Sequence, residues 1–576
     1  MASLTTNKDV AKVFYEIADL LDLLGDRFKP RAYRRAARSI DGLSEHLSDI
    51  AARGALEEIP GVGKAISLKI QEYLKTGKVK ALETLRGKVS PGLVELLRIP
   101  DVGPRTVQQL HDKLGIRTIE QLQEALAEHR IRDLPGFGER SEESIRRNLE
   151  LFLKLRQRRP LSSAYHLAQK LLQILGEVSG VERIEPAGSL RRWRETVGDL
   201  DILIASEKPG PIMKAFTEIS DVKQVLAHGT TKSSIILSDG MQVDLRVVKP
   251  ESFGAALQYF TGSKAHNIAL RRIAQKRKWK LSEYSLSDAK DGSIIAQRTE
   301  AEIYEALGMP WIPPELREDS GEIEAAQKNQ LPKLVELDDI RGDLHVHTKW
   351  SDGRDTIEAM VTAAIQRGYE YIVISDHSKT VRIAKGLAEE KLLEQIHVIR
   401  RLDATLADIH VLSGVEVEIL SDGTLDLADD ALAETDVVTA SIHYDTRGSE
   451  EKMTGRLLRA MENEYVDILA HPTGRLVGER PSYSVNLDKL FEAAKQNRVF
   501  LEINSHRLDI SDVAARRAKA LGLKLAVNSD AHWASGLEVM RFGVAVARRG
   551  WLEARDVVNT FSFTKLRQVL KHVHIN

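Results

Sequence analysis

The 576-residue chain contains no cysteine. That excludes disulfides, thiolate zinc sites and cysteine nucleophiles, so any metal must be held by nitrogen and oxygen ligands. Uninterrupted apolar runs near the roughly 20 residues of a membrane helix are also missing. The start, MASLTTNKDV, has no basic region followed by an apolar core. No signal peptide is visible, and a cytoplasmic protein is expected. Net charge is nearly absent, at a formal −1. The neutral total hides local bias: Arg31-Ala-Tyr-Arg34-Arg35-Ala-Ala-Arg38 and Arg156-Gln-Arg158-Arg159 are basic, which points to an anionic partner on the N-terminal half. With 42% hydrophobic and 29% charged residues the composition is that of soluble globular protein, and the length corresponds to roughly four domains.

Residues 1–155 read as helices joined by glycine turns of one form: Ile59-Pro-Gly61-Val-Gly63, Ile99-Pro-Asp101-Val-Gly103 and Leu134-Pro-Gly136-Phe-Gly138. Each precedes an amphipathic stretch. Such a turn aims backbone N–H groups outward at a helix N-terminus, where a phosphate can sit. A single Gly-x-Gly often merely ends a helix; three copies with basic neighbours indicate DNA held without base readout. From about 181 short β-branched runs appear (Val181–Ile184, Leu200–Ala205, Ser233–Leu237, Met241–Val248), which predicts a sheet with helices against it. Residues 253–315 return to helix with short strands. The polar stretch 316–338, with Pro332, reads as a linker. Beyond 340, apolar strands alternate with helices (Tyr371–Ser375, His410–Val417, Val437–Ile442, Ile468–Ala470, Val499–Ile503, Lys524–Val527), predicting an α/β barrel or related layered fold.

The sharpest motif of the first half is Gly188-Ser189-Leu-Arg191-Arg192-Trp-Arg-Glu-Thr-Val-Gly198-Asp199-Leu-Asp201. Two residues apart entering a strand, Asp199 and Asp201 project from one face. Asp244, in another strand, can join them. Three converging carboxylates suit a hard cation such as Mg²⁺, whereas a lone Asp-x-Asp more often just ends a strand on solvent.

This string resembles the nucleotidyltransferase signature of family X DNA polymerases, over residues 1–315. The resemblance places the metal-binding, catalytic aspartates on Asp199, Asp201 and Asp244, and phosphate contacts on Gly188, Ser189, Arg192 and Gly198. It places the sugar-flanking segment on Tyr259-Phe260-Thr261-Gly262-Ser263, and further nucleotide and template contacts on Asn267 and Arg271. Gly61, Gly63 and Gly103 become DNA-binding turns. Lys264 stands where DNA polymerase beta has an acidic residue, and is expected to hold nucleotide by charge or by its stem. Lys69 falls on the family's Schiff-base lyase lysine; a helix lysine contacting phosphate is the alternative. The implied cofactor is Mg²⁺ or Mn²⁺.

The last third carries imidazoles and carboxylates at successive strand ends. They are His345-Val-His347, Asp352, His377, Glu416, His443, His471, Asp530 and His532, with Asp343 and Asp376 beside them. Barrel sites are assembled this way, one or two groups per strand. Mixed imidazole and carboxylate ligation suits Zn²⁺, Mn²⁺ or Fe²⁺. The motifs His-x-His-Thr, Ser-Asp-Gly, Ser-Asp-His377, Gly-Val-Glu416, Ser-Ile-His443, Ala-His471-Pro and Ser-Asp530-Ala-His532 resemble the PHP (polymerase and histidinol phosphatase) domain over 340–576. That resemblance implies a distorted seven-stranded (βα)7 barrel with three ions, Zn²⁺ or Mn²⁺, bridged or anchored by Glu416 and Asp530. Arg475 is either a phosphate contact or a surface arginine.

Together the resemblances imply a multidomain α+β and α/β chain with the following divisions: a lyase-like helical domain (1–90), a helix-hairpin-helix domain (91–155), a nucleotidyltransferase palm with a mixed sheet (156–250), a thumb-type nucleotide-selection domain (251–315), a linker (316–338) and a PHP domain (339–576). The expected activities are short-gap DNA synthesis in base excision repair, 3′–5′ exonuclease, abasic-site cleavage and 3′-end cleaning. Gapped or nicked DNA and deoxynucleoside triphosphates are the expected partners, with no membrane, and a monomer is expected. The rival readings are a small-phosphoester phosphatase or structural module in the barrel, or a DNA-binding scaffold.

Overall fold

The computed structural model describes residues 7–26, 28–41, 47–97, 99, 102–156 and 158–572. Among the described residues, the first 150 are helical and form two separate cores. One gathers around Phe14, Ile17, Ile40 and Ile70, the other around Leu96, Leu110, Leu122 and Leu149. Gly63 and Gly103 are the extended residues immediately before helices Lys64–Thr76 and Pro104–Leu114. Gly61 has φ +86°, and a Cβ there would press on Arg35 Cγ at 2.8 Å, so the turn requires glycine. Pro100 and Asp101 of the middle turn lie outside the described residues.

Five strands make the palm: β1 (Arg183–Pro186), β2 (Asp199–Ala205), β3 (Val222–His228), β4 (Lys232–Leu237) and β5 (Gln242–Val248). Their order is β1-β2-β5-β4-β3, with β2 and β5 parallel and the remaining pairs antiparallel. Alternation along β2 divides its side chains. Leu200, Ile202 and Ile204 pack with helix Leu161–Gly176. Leu203 and Ala205, on the face that carries the aspartates, pack against Phe253, Ala256 and Leu257 of helix Phe253–Thr261. A second helix (Lys264–Lys276), a small antiparallel sheet and a helix with a Thr299/Glu302 capping box (Glu300–Ala306) complete the thumb-type unit.

Residues 316–338, polar enough to read as a linker, are packed instead. Arg317 is fully buried and pairs with Glu300 at 2.5 Å. Glu322 faces His266 at 2.6 Å, both buried. Leu334 and Val335 are buried as well. The charges that suggested solvent are inward-facing partners, which is the condition under which charged groups can be buried.

Seven parallel strands follow in sequential order: β6 (Gly342–Val346), β7 (Tyr371–Ile374), β8 (His410–Glu418), β9 (Val437–Ser441), β10 (Val466–Leu469), β11 (Phe500–Asn504) and β12 (Leu525–Asn528). The ring closes beyond β12: His347 N donates to Ala531 O at 2.8 Å and Asp530 N donates to His345 O at 3.0 Å. Leu344, Val373, Leu412, Val437, Ile468 and Ala526 cluster with Val558, Phe561 and Leu566 of the C-terminal segment. That leaves the C-terminal strand ends to polar residues.

Palm and barrel share one continuous apolar core. Tyr165 of the palm lies 5.3 Å from Trp193 and 5.7 Å from Phe542 of the barrel helix Met540–Arg549. Arg549 donates to Arg192 O (2.8 Å), Glu318 (3.1 Å) and Asp512 (2.6 Å). Arg475 forks onto Glu195 at 3.2 and 2.8 Å, so it is neither a loose surface arginine nor turned to the cage.

Candidate active sites

In the palm, the β2–β5 register sets Asp201 directly beside Asp244. Asp199 lies two residues back on the same face, and Gln242 Nε2 donates to Asp244 at 3.2 Å. Gly188 adopts φ +58°, and a Cβ there would overlap Asp201 Oδ2. Only glycine lets the backbone approach this carboxylate. Burial, then repulsion from Asp199 and Asp244, pushes Asp201 up to about 7. A divalent cation relieves that repulsion, so the three side chains fit the expected metal. Ser189 Oγ is buried and has no hydrogen-bond partner, which leaves it for a ligand.

The surrounding residues are less free. Arg192 donates Nε to Glu318 (3.0 Å) and Nη1 to Thr261 O (2.7 Å), so it is held at the palm–thumb seam. Asn267 Nδ2 donates to Tyr259 O (2.7 Å) and Gly262 O (3.2 Å), shaping the turn that follows Tyr259 and Phe260. Arg271 donates to Asn267 O at 3.2 Å, and Lys264 is exposed. Gly198 immediately precedes β2. Arg191, absent from the predicted set, forks onto Glu300 at 2.8 Å twice and binds Thr261 Oγ1 at 2.8 Å. Lys69 lines a pocket of about 770 Å³ with Tyr33, Gly61 and Gly63 in the first helical unit. Its Nζ donates to Ala65 O at 3.0 Å and lies 6.0 Å from the Tyr33 ring centroid.

The barrel brings all nine predicted ligands together. Glu416 is central: Oε2 faces His345 (3.5 Å), His347 (3.5 Å) and His377 (2.7 Å), while Oε1 faces His443 (3.5 Å) and His471 (3.0 Å). Asp530 lies 3.2 Å from His347. Asp352 lies 3.6 Å from His377 and 3.4 Å from His532. His471 and Asp530 hold positive φ, +30° and +56°, backbone strain of the kind concentrated at functional sites.

Several of these atoms are close without hydrogen-bond geometry. His347 Nδ1, His377 Nδ1, His443 Nε2 and Glu416 Oε2 are buried and unpartnered. Converging donors that do not bond one another fit cations. Three overlapping groups could hold one: His347/Asp352/His377/His532, His345/His347/Glu416 and His377/Glu416/His443. The electrostatics divide the imidazoles: against burial, neighbouring carboxylates raise His345 (Glu502, Glu416) and His377 (Glu416, Asp352). Burial, then His532 and His377, press His347 down to about 4. Burial and Arg507 bring His471 to about 4. Neutral imidazole is the ligating form. Burial would lower His532 too, but Asp352 overrides it and raises it to about 9. Despite burial, His377, His443 and His345 hold Glu416 well below the usual carboxylate range.

Two buried carboxylates behind the cage were missed. Glu502 binds His345 Nδ1 at 2.8 Å and Asn528 Nδ2 at 2.9 Å. Glu418 binds His443 Nδ1 at 2.8 Å. Such partners fix the tautomer and orientation of a ligating histidine. Their signal was present: each is an acid inside an apolar strand, Phe-Leu-Glu502-Ile and Val-Glu416-Val-Glu418. Asp376 ties the loop after β6, accepting from Thr348 N (2.8 Å) and Gln395 Nε2 (2.6 Å). Asp343 accepts from Ser529 N at 3.2 Å.

Fold and sites define a nucleotidyltransferase-type palm behind helix-hairpin-helix units, joined to a metal-cage barrel. Matching family models agree: a helix-hairpin-helix domain (5–79), a SAM-like helix-hairpin-helix tandem (93–150), the DNA polymerase beta thumb (256–318) and the PHP domain (343–506). Over 569 residues the chain is 39% identical to the DNA polymerase/3′-5′ exonuclease PolX of Bacillus subtilis (strain 168), covering 98% of this chain and 99% of that protein. The chain belongs to the PolX family, family X DNA polymerases with a C-terminal PHP domain. More distant relatives match parts of it. DNA polymerase lambda of Arabidopsis thaliana is 25% identical over 351 residues, 54% of this chain and 62% of that protein. A probable phosphatase of Thermoanaerobacter sp. (strain X514) is 29% identical over 242 residues, 40% of this chain and 94% of that protein. No helix among the described residues is long and apolar enough to cross a membrane.

Proposed function

We propose that the palm fills short gaps in DNA during base excision repair, and that the barrel trims 3′ ends as a metal-dependent 3′–5′ exonuclease, with abasic-site cleavage and 3′-end cleaning at the same cage. One observation carries the joint reading. Arg475, four residues after His471, is ion-paired with Glu195, between Gly188 and Asp199. The two sites are thereby coupled within one chain, which supports a single shared substrate, gapped or nicked DNA; the monomer is part of the same proposal.

Asp199, Asp201 and Asp244 would hold Mg²⁺ or Mn²⁺, which supplies charge neutralisation for in-line displacement. The primer O3′ bonds to the α-phosphorus of a deoxynucleoside triphosphate, its proton passes to water and pyrophosphate leaves. Gly188, Ser189 and Gly198 receive phosphate, and Arg192 joins them once released from Glu318. Tyr259, Phe260 and Gly262 flank the sugar, Asn267 holds their turn, and Arg271 faces the template. Lys264 holds the incoming nucleotide; unchanged nucleotide affinity in Lys264→Ala would remove it from the site.

The cage would hold Zn²⁺ or Mn²⁺, three ions in all, supplying a nucleophilic water and shielding charge on the phosphate. Water adds to phosphorus, the bond to the penultimate O3′ breaks, that oxygen takes a proton, and a deoxynucleoside 5′-monophosphate leaves. Glu502 and Glu418 keep His345 and His443 aimed. Gly61, Gly63 and Gly103 hold the DNA backbone. Lys69 is proposed as the lyase nucleophile toward an abasic sugar; borohydride trapping by wild type and not by Lys69→Ala is expected.

The joint test incubates gapped DNA with Mg²⁺ or Mn²⁺, with and without nucleotides. Asp199→Ala should lose synthesis and keep degradation; His345→Ala should do the reverse. A second reading has one observation behind it, the match of the barrel to probable phosphatases. Faster Mn²⁺-dependent release of phosphate from small esters than of nucleotides from DNA would favour it.

A further inference from the structure

A cleft of about 420 Å³ opens beside Asp352, Asp530 and His532 of the cage. Its walls are cationic and apolar, formed by Arg354, Arg480 and Arg507 together with Trp533, Leu476 and Val539. None of these six belongs to the ligand set. The volume is that of a small-ligand site, within the range of roughly 300–1,000 Å³.

The wall is built rather than incidental. Gly536 lets the indole of Trp533 lie on the backbone: a Cβ there would stand 3.2 Å from Trp533 Cε2 and 3.4 Å from Cδ2. The Arg354 guanidinium sits 5.0 Å from the ring centroid. Both groups line the cleft, and stacked indole and guanidinium groups hold bases without regard to sequence. Arg507 is anchored to Asp530 at 3.4 Å, and Arg480 to Gly474 O at 2.9 Å through Nε. Both guanidinia border the cleft, the arrangement that grips a phosphodiester.

The segments that wall the cleft also carry the palm contact. Leu476 and Arg480 share a loop with Arg475, and Val539 leads into helix Met540–Arg549. The cleft therefore lies on the rim of the barrel nearest the palm.

We propose that this cleft seats the 3′-terminal nucleotide of the strand being trimmed, with the base on the Trp533–Arg354 wall and its one phosphate, the scissile one, between the cage and the guanidinia of Arg480 and Arg507. The inference rests on the exonuclease reading of the cage. It makes Trp533 a binding residue selective for ends that bear a base, and Arg480 a phosphate contact indifferent to the base.

The test compares two single-stranded oligonucleotides in Mn²⁺, one ending in thymidine and one in a tetrahydrofuran abasic residue. Wild type, Trp533→Ala, Trp533→Phe, Arg480→Ala and His345→Ala are assayed. Wild type should prefer the thymidine end in kcat/KM. Trp533→Ala should cut that preference at least about five-fold, the low end for one stacked base, and Trp533→Phe should restore most of it. Arg480→Ala should raise KM for both ends alike. Because the readout is a ratio between ends, a merely misfolded variant would lose both rates and fail the Phe rescue. An unchanged preference in Trp533→Ala overturns the seat while leaving the exonuclease intact. Absence of cutting by wild type, or cutting undiminished in His345→Ala, overturns the exonuclease reading and the seat with it.

Discussion

Replacing Gly188 by alanine tests the palm at its tightest point. The added methyl would overlap Asp201 Oδ2 and lie 3.1 Å from Cγ and 3.4 Å from Cβ, at a residue with φ +58°. Two costs follow. Holding a non-glycine residue in the left-handed region costs about 1–2 kcal/mol, which a chain of this size can absorb. The overlap is met by moving either the Gly188 backbone or the carboxylate by about 1 Å, and a misplacement of that size costs about 100-fold in rate. Either movement strikes the same reaction, because Gly188 and Asp201 are both assigned to it. The expected outcome is a fall of about 100-fold in kcat/KM for single-nucleotide insertion into a one-nucleotide gap with Mg²⁺. Mn²⁺-dependent 3′ degradation, measured on the same preparation, should stay within two-fold of wild type, since the atoms nearest the added methyl all belong to Asp201 and none to the cage. Insertion within three-fold of wild type would refute the claim that glycine is required there. Equal loss of both activities would show that the substitution acts on folding.

Three further outcomes follow from the same geometry. Glu502→Gln keeps the size but loses the charge that holds His345, so exonuclease activity should fall about 10–100-fold while gap filling is unchanged; equal exonuclease rates would dismiss Glu502 as a positioning residue. Arg549→Ala removes the buried fork onto Arg192 O, Glu318 and Asp512, which should destabilise the chain by about 2 kcal/mol and raise KM for nucleotide more than it lowers kcat. A Tm and KM equal to those of wild type would count against a structural link from barrel to palm. Burial opposes ionisation of Glu300, but Arg317 and Arg191 outweigh it and bring its carboxyl down to about 2 from 4.5. A carboxyl lowered on folding adds stability that is complete above its unfolded value of 4.5 and lost as pH falls toward 2, here about 3 kcal/mol. The Tm gap between wild type and Glu300→Gln should therefore be full at pH 6, fall to roughly 40% by about pH 3 and nearly close by about pH 2; a gap that does not change with pH would refute the pairing.

What the chain's residues reveal before folding depends on whether a side chain's role is local. Asp199 and Asp201 could be placed on one face because strand alternation is a two-residue property. The cage could be assembled because its histidines sit at the ends of legible apolar strands. Glu502 and Glu418 escaped because their meaning is relational: an acid in an apolar strand reads as an exception until His345 and His443 are seen behind it. Strand β3 escaped for the opposite reason, since Val222–His228 buries no face and so carries no periodic apolar signal. The segment 316–338 misled for the same relational cause. Its acids and arginine look solvated in sequence, and only Glu300 and His266, distant in the chain, reveal that Arg317 and Glu322 point inward.

The seam between palm and barrel follows from similar long-range pairing, and it constrains how a 3′ end can be shared. Glu318 is held at once by Arg192 of the palm and Arg549 of the barrel. Glu195, in the loop between Gly188 and Asp199, is held by Arg475. Trp193, with φ +53° in that same loop, stacks on Tyr165 beside Phe542. The loop that shapes the polymerase motif is thus clamped by the barrel at its backbone, its charge and its ring. A hinge between these two bodies would have to break partly buried ion pairs and a shared apolar core together, at a cost of several kcal/mol, most of it from the core. Transfer of a primer end between the two sites is therefore assigned to movement of DNA over a rigid palm–barrel unit. The separate cores of the helix-hairpin-helix units leave those units as the parts able to move with it.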